Sequence, residues 1–160
     1  SVLFVGARNG IEARVAPQRG LRFVPIEIHG VRGGGWRGLL RFVLQFPRAF
    51  ATAHQALRSS ASEVVLGLGG YGSVPVVISA WLRGTPAVLM EQNVHPGLAN
   101  RVLARLARAV CTTFEDSNAF FPPGRAVLTG NPVRELHCDA HPDPAHFTVL
   151  VFGGSQGARS

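Results

Sequence analysis

An α/β fold built on a parallel sheet is predicted by three observations. Short apolar runs alternate with longer amphipathic patterns; glycine-rich turns fall at the carboxyl ends of those runs; and the 160 residues, 46% of them hydrophobic, are enough for one domain with a core. That hydrophobic content, with a positive mean hydropathy, excludes a disordered chain.

The elements follow in order. Strand runs are predicted at 2–5 and 22–27 with a short helix at 10–17 between them, then a long helix over 37–58 in which Pro47 is expected to introduce a kink. Strands at 63–67, 86–90, 108–112 and 125–128 alternate with helices at 73–83 and 96–107. Residues 136–146, polar and interrupted by Pro142 and Pro144, read as a linker, and a new strand at 147–152 follows. The expected organisation is therefore one Rossmann-like domain over 1–135, a linker over 136–146, and the first strand and glycine-rich turn of a second domain over 147–160. Ser1 in place of an initiator methionine, and the stop inside a glycine loop, give both ends the look of cuts.

The net charge is +7 and every basic side chain is arginine. Such a surface attracts anionic partners, among them phosphates of nucleotides and lipid head groups. A nucleic-acid platform would need interleaved surface aromatics, which the sequence lacks. Cys111 and Cys138 form no CxxC pair, so neither a disulfide framework nor a zinc site is implied, and the six histidines show no ligand spacing. No metal or cofactor is expected. No apolar run approaches the roughly 18 residues that span a bilayer, and the first residues lack a signal-peptide layout, so any membrane contact is expected to be peripheral.

Four polar motifs end apolar runs. Gly67-Leu68-Gly69-Gly70-Tyr71-Gly72-Ser73 opens the helix at 73–83, where backbone amides and the helix dipole favour an anion; alone it reads equally as a tight turn. Glu91-Gln92-Asn93 supplies a carboxylate and two amides suited to sugar hydroxyls or to orienting a nucleophile, or else is a polar loop. Gly130-Asn131-Pro132-Val133-Arg134 ends in a permanent charge able to grip a phosphate, or in a solvated arginine. Gly153-Gly154-Ser155-Gln156-Gly157-Ala158 repeats the strand-to-glycine logic without being a Walker loop. Their recurrence at strand carboxyl ends places all four on the edge where such sheets bind ligands.

The helix over 37–58 is amphipathic. Leu39, Phe42, Val43, Phe46 and Phe50 form a stripe expected to pack on the sheet, with Arg37, Arg41 and Arg48 opposite. Trp36 and Leu40 edge the stripe toward the arginines, a combination suited to an anionic membrane surface. Arg101, Arg105 and Arg108 form a second basic face.

Taken together, the four motifs, in this order and at these intervals, resemble the MurG family over essentially the whole chain. The resemblance implies a GT-B glycosyltransferase of two Rossmann-like domains, with the N-terminal one nearly complete here and the C-terminal one only begun. It implies an inverting transfer of N-acetylglucosamine from UDP-N-acetylglucosamine to undecaprenyl-diphospho-N-acetylmuramoyl-pentapeptide in peptidoglycan synthesis, at the cytoplasmic face of the bacterial membrane. Asn93, Arg134 and Ser155 match the family's donor-binding positions. Glu91 and Gln92 match supporting residues near the cleft, and Gly69, Gly70, Tyr71, Gly153, Gly154, Gln156 and Gly157 its glycine loops. Trp36, Leu40 and Trp81, with Arg37 and Arg105, match an apolar, basic-rimmed membrane patch. Met90 stands where the family usually has histidine, and Gly72 and Val74 alter the turn after Tyr71. The family's first glycine loop would precede residue 1 and most of its nucleotide domain would follow residue 160, so the isolated chain is expected to be inactive. A non-catalytic nucleotide- or anion-binding α/β module is the alternative reading.

Overall fold

The computed structural model describes residues 1–30 and 35–133. The elements are β1 (Leu3–Ala7), α1 (Glu12–Gln18), β2 (Arg22–Ile26), α2 (Gly35–Ser60), β3 (Val65–Gly67), α3 (Ser73–Leu82), β4 (Ala87–Glu91), α4 (Leu98–Leu103), β5 (Ala109–Thr112), a 3-10 helix (Glu115–Phe120) and β6 (Ala126–Leu128). Every pairing is parallel, so all carboxyl ends within a sheet share one edge. The expected linker and the strand at 147–152 lie outside the described residues.

The strands form two groups rather than one sheet. β1 pairs with β2, and β3, β4, β5 and β6 follow in order. The two groups are tied through packing: Val5 of β1 touches both core clusters, and α2 contacts β1, β2 and α3. In the four-stranded sheet one face is buried. Val65, Leu89 and Val110 pack there against Val76, Val77 and Ala80 of α3, Leu103 and Ala104 around α4, and Ala53 and Leu57 of α2. Burying a side chain of leucine or valine size contributes about 1.5–3 kcal/mol, so this shared cluster is what fixes the helices on the sheet. On the other face Leu66 and Val127 remain 56% and 50% exposed, so the doubly wound arrangement is one-sided among the described residues.

Local departures from the sequence reading have physical causes. The helix expected over 96–107 is regular only over Leu98–Leu103, after which Leu106 N–H bonds to Leu103 O, an i to i−3 bond that tightens the chain into turns. The 3-10 helix was not foreseen; its polar sequence carries no periodicity, and a local bond from the Ser117 hydroxyl to Phe114 O, at 2.6 Å, closes it. α2 itself runs through Pro47 without interruption. Its buried residues are Ala49, Ala53, Ala56 and Leu57, all in its second half. Leu39 and Val43, expected on the sheet, are instead 54% and 56% exposed, while Phe42 between them packs against Ile26, Ile28 and Ala49.

Candidate functional site

The alternation of β4 places Ala87, Leu89 and Glu91 on the buried face, so the sequence drives a carboxylate into the end of the core, where it is 2% exposed. A buried charge at such a position must be met by hydrogen bonds. Oε1 accepts from the Asn93 backbone N–H at 3.0 Å and from Asn93 Nδ2 at 2.8 Å; Oε2 accepts from the Gly97 N–H at 3.2 Å and from Asn100 Nδ2 at 3.0 Å. All four donors are neutral. The carboxylate thereby pins both ends of the 91–97 loop to α4, and its acceptor capacity is taken up by the protein.

Asn100 is the residue the sequence reading missed. It is 3% exposed and its Nδ2 also donates to Met90 O at 2.9 Å, while its Oδ1 is buried without a hydrogen-bond partner. The signal was available. An asparagine three, four and seven positions before the buried Leu103, Ala104 and Ala107 lies on the apolar stripe, where an amide is rare unless it is bonded. Asn100 also faces the glycine loop: at Gly69, whose φ is +89°, a β-carbon would come within 3.2 Å of Asn100 Nδ2. Glycine is required there by conformation and by space together.

Two amides at the start of α3 are taken up within that loop. Ser73 N–H bonds to Gly70 O at 3.2 Å and Val74 N–H to Tyr71 O at 3.3 Å, and the Ser73 hydroxyl donates to Gly69 O. The amides closing the turn are therefore engaged within it. Tyr71 packs edge-on against Phe42 of α2, with ring centroids 5.8 Å apart, and a β-carbon on Gly30 would lie 3.1 Å from its ring. The loop is thus tied to α2 on one side and to Asn100 on the other. Gln92 is half-buried and Asn93 exposed. Beside them the β5 end is stitched in: Thr113 N–H bonds to Glu91 O at 3.1 Å, and Thr129 and Gly130 N–H bond to Thr112 O at 3.0 and 3.2 Å.

The structure brings Gly69, Gly70, Tyr71, Glu91, Gln92 and Asn93 to one edge, with Gly130 on the adjoining strand end. Arg134, Ser155, Gly153, Gly154, Gln156 and Gly157 lie outside the described residues. The expected membrane patch is divided. Trp36 (71% exposed), Arg37 and Leu40 line one groove at the start of α2, of about 540 Å³, together with Arg41, Leu44 and Arg48. Trp81 lies in the last turn of α3, which runs parallel to α2. Its neighbour Ser79 bonds to His54 of α2 at 3.0 Å, 18 residues or roughly 27 Å along the helix from Trp36. Arg105 lines a different cavity, of about 300 Å³, with Arg101, Phe120 and Phe121. Among the described residues no group of three or more His, Cys, Asp or Glu is placed to hold a metal ion.

Comparison with known proteins accords with this architecture. The family model described as "Glycosyltransferase family 28 N-terminal domain" matches residues 1–112. A protein of Myxococcus xanthus named UDP-N-acetylglucosamine–N-acetylmuramyl-(pentapeptide) pyrophosphoryl-undecaprenol N-acetylglucosamine transferase is 43% identical, covering 99% of this chain and 42% of its own length. A protein of the same name from Anaeromyxobacter dehalogenans is 41% identical, with 99% and 43% covered. The crystal structure of MurG from Acinetobacter baumannii superposes with a TM-score of 0.68 at 28% identity, over 84% of this chain and 38% of that one. The chain spans about two-fifths of the length of the relatives it matches.

Proposed function

The chain belongs to glycosyltransferase family 28, whose N-terminal domain it carries, and from that membership we propose that the complete protein is an inverting N-acetylglucosaminyltransferase of peptidoglycan synthesis. N-acetylglucosamine passes from UDP-N-acetylglucosamine to the 4-hydroxyl of the N-acetylmuramoyl group in undecaprenyl-diphospho-muramoylpentapeptide. The acceptor oxygen displaces UDP at the anomeric carbon, forming the new glycosidic bond as the bond to the phosphate breaks. The observation that carries this reading is the gathering of Gly69–Tyr71 and Glu91–Asn93 at one sheet edge in a chain 43% identical to a transferase of that name.

In this reading residues 1–135 form the acceptor-side domain, 136–146 the linker and 147–160 the start of the donor-side domain. The division of the strands into two groups, with β1 and β3 unpaired to one another, supports a further strand of the complete protein lying between them. Asn93, Arg134 and Ser155 bind the sugar nucleotide, and the glycine-loop residues line the cleft. The exposed start of α2, with Trp36, Leu39, Leu40, Val43 and Leu44 between Arg37 and Arg41, rests peripherally on the anionic cytoplasmic face of the membrane where the lipid acceptor resides. No helix among the described residues is long and apolar enough to cross a membrane.

The test is transfer of labelled N-acetylglucosamine from UDP to the lipid acceptor by the complete protein. Labelled lipid product is expected, and none from the isolated chain, since displacement needs acceptor, base and leaving-group stabilisation in one cleft. UDP-sugar binding without transfer would replace this reading with a non-catalytic nucleotide-binding module.

A further inference from the structure

Beyond the Glu91 loop the same edge carries a cationic cavity. Its volume is about 300 Å³, and it is lined by Arg101 of α4 and Arg105 just after it on one side and by Phe120, Phe121 and Pro122 on the other. Arg101 stands over the Phe120 ring, its guanidinium carbon 5.4 Å from the centroid, a contact that orients the group and leaves its planar N–H fork for an acceptor. Neither arginine has an acidic partner among the described residues, and Glu115 and Asp116, exposed at the other end of the 3-10 helix, do not line the cavity. Like charges four residues apart repel, so an anion between them is favoured. The floor is fixed, since Phe121 is 7% exposed and belongs to the main core cluster. The cavity also adjoins the cleft. His95, two residues or roughly 7 Å of chain past Asn93, meets the Phe120 ring edge-on with centroids 5.8 Å apart.

α3 lies between α2 and α4 and touches both. At the usual spacing of packed helices α4 stands roughly 16–20 Å from α2, and the cavity opens on its far side, toward β5 and β6. A lipid settled on the start of α2 is therefore at the opposite end of the row from the two arginines. The acceptor of the proposed reaction is a muramoyl sugar with two arms: a lipid-borne diphosphate on the anomeric carbon, and a peptide on the carbon next to the reacting hydroxyl. With the first arm toward α2 and the hydroxyl at the loops, the second runs toward the cavity. Five extended residues span up to roughly 17 Å, which covers that step. We propose that the cavity between α4 and the 3-10 helix is a subsite for the carboxylate-bearing end of the acceptor's peptide, an inference that rests on the transferase reading. Arg101 and Arg105 hold the carboxylate through paired N–H donors, and Phe120 and Pro122 cover the apolar side chains before it. A cavity of this size, at the small end of ligand sites, takes a chain end and not a folded partner.

The experiment uses the complete protein and a water-soluble acceptor carrying the full pentapeptide. Arg101→Gln with Arg105→Gln should raise KM for that acceptor by about 10-fold, with KM for UDP-N-acetylglucosamine unmoved. Against the same acceptor with its peptide carboxylates amidated, the substituted and unsubstituted proteins should not differ, because the partner of the arginines is already gone. Both side chains are exposed, so the variant should keep the urea midpoint of the unsubstituted protein. An unchanged KM for the carboxylate-bearing acceptor, or an equal loss with both acceptors, would overturn the proposal. So would an effect confined to lipid acceptor in vesicles containing anionic lipid, which would assign the two arginines to membrane phosphate. Should the unsubstituted protein transfer no sugar, the transferase reading fails by itself. Binding of labelled muramoyl pentapeptide with free and with amidated carboxylates, read by fluorescence anisotropy, then decides the subsite by the same comparison.

Discussion

The end of β4 and the start of α2 are built in opposite ways. At β4 a single carboxylate is buried and fully bonded, and four neutral N–H groups hold the loop it pins. At α2 five large apolar side chains, from Trp36 to Leu44, are 49–71% exposed among arginines that find no acidic partner among the described residues. The difference teaches how to read each. A carboxylate whose bonds are already made holds its loop preorganised for a small ligand, whereas an apolar face left open requires a surface large enough to cover it. Substitutions should therefore separate the two regions: stability at the first, association at the second.

The largest effect is expected beneath the site. Leu89→Ala removes a side chain at 0% exposure on the strand that carries Glu91, and should cost about 2–5 kcal/mol in urea unfolding. Next, Asn100→Ala should cost roughly 1–3 kcal/mol in the same experiment, since Met90 O and Glu91 Oε2 each lose a buried donor. A loss below a few tenths would show that water replaces the amide and that the β4 end is less self-contained than its bonds suggest. On α2, Leu40→Glu with Leu44→Glu should change stability by no more than about 0.5 kcal/mol, both side chains being half-exposed or more. The same pair should abolish binding of the complete protein to vesicles containing anionic lipid, measured by sedimentation. Unfolding by this pair, or vesicle binding unaffected by it, would erase the contrast between the regions. The smallest effect falls at the rim of the α2 groove: Glu27→Gln breaks the 3.3 Å pair with Arg8, the two side chains being 58% and 64% exposed, and should leave the melting temperature unmoved.

Much of this was legible in the sequence, for identifiable reasons. Strand runs such as Ala87–Glu91 declare themselves because burial alternates along them, and the glycine loop after β3 because its backbone demands positive φ at Gly69. The polar residues of the β4 end were visible as a group, but not their roles. Which of Glu91 and Asn93 is buried depends on the register of the strand against α4, a tertiary fact. Asn100 escaped because attention to strand ends passes over an amide placed inside a helix. The exposure of Leu39 and Val43 was hidden for a related reason. Periodicity shows that a helix has an apolar face but not which of its residues the neighbouring elements cover. The separation of Trp36 from Trp81 likewise follows from two helices running in the same direction, which no spacing along the chain reveals.

Tyr71 touches Phe42, six residues or about 9 Å along α2 from Trp36. The helix therefore acts as a gauge of height. Whatever surface its first turns settle on is held about two helical turns from the glycine loop, on the same side of the molecule as the Glu91 cluster. A molecule held in that surface would then need to lift only its exposed end to reach the sheet edge.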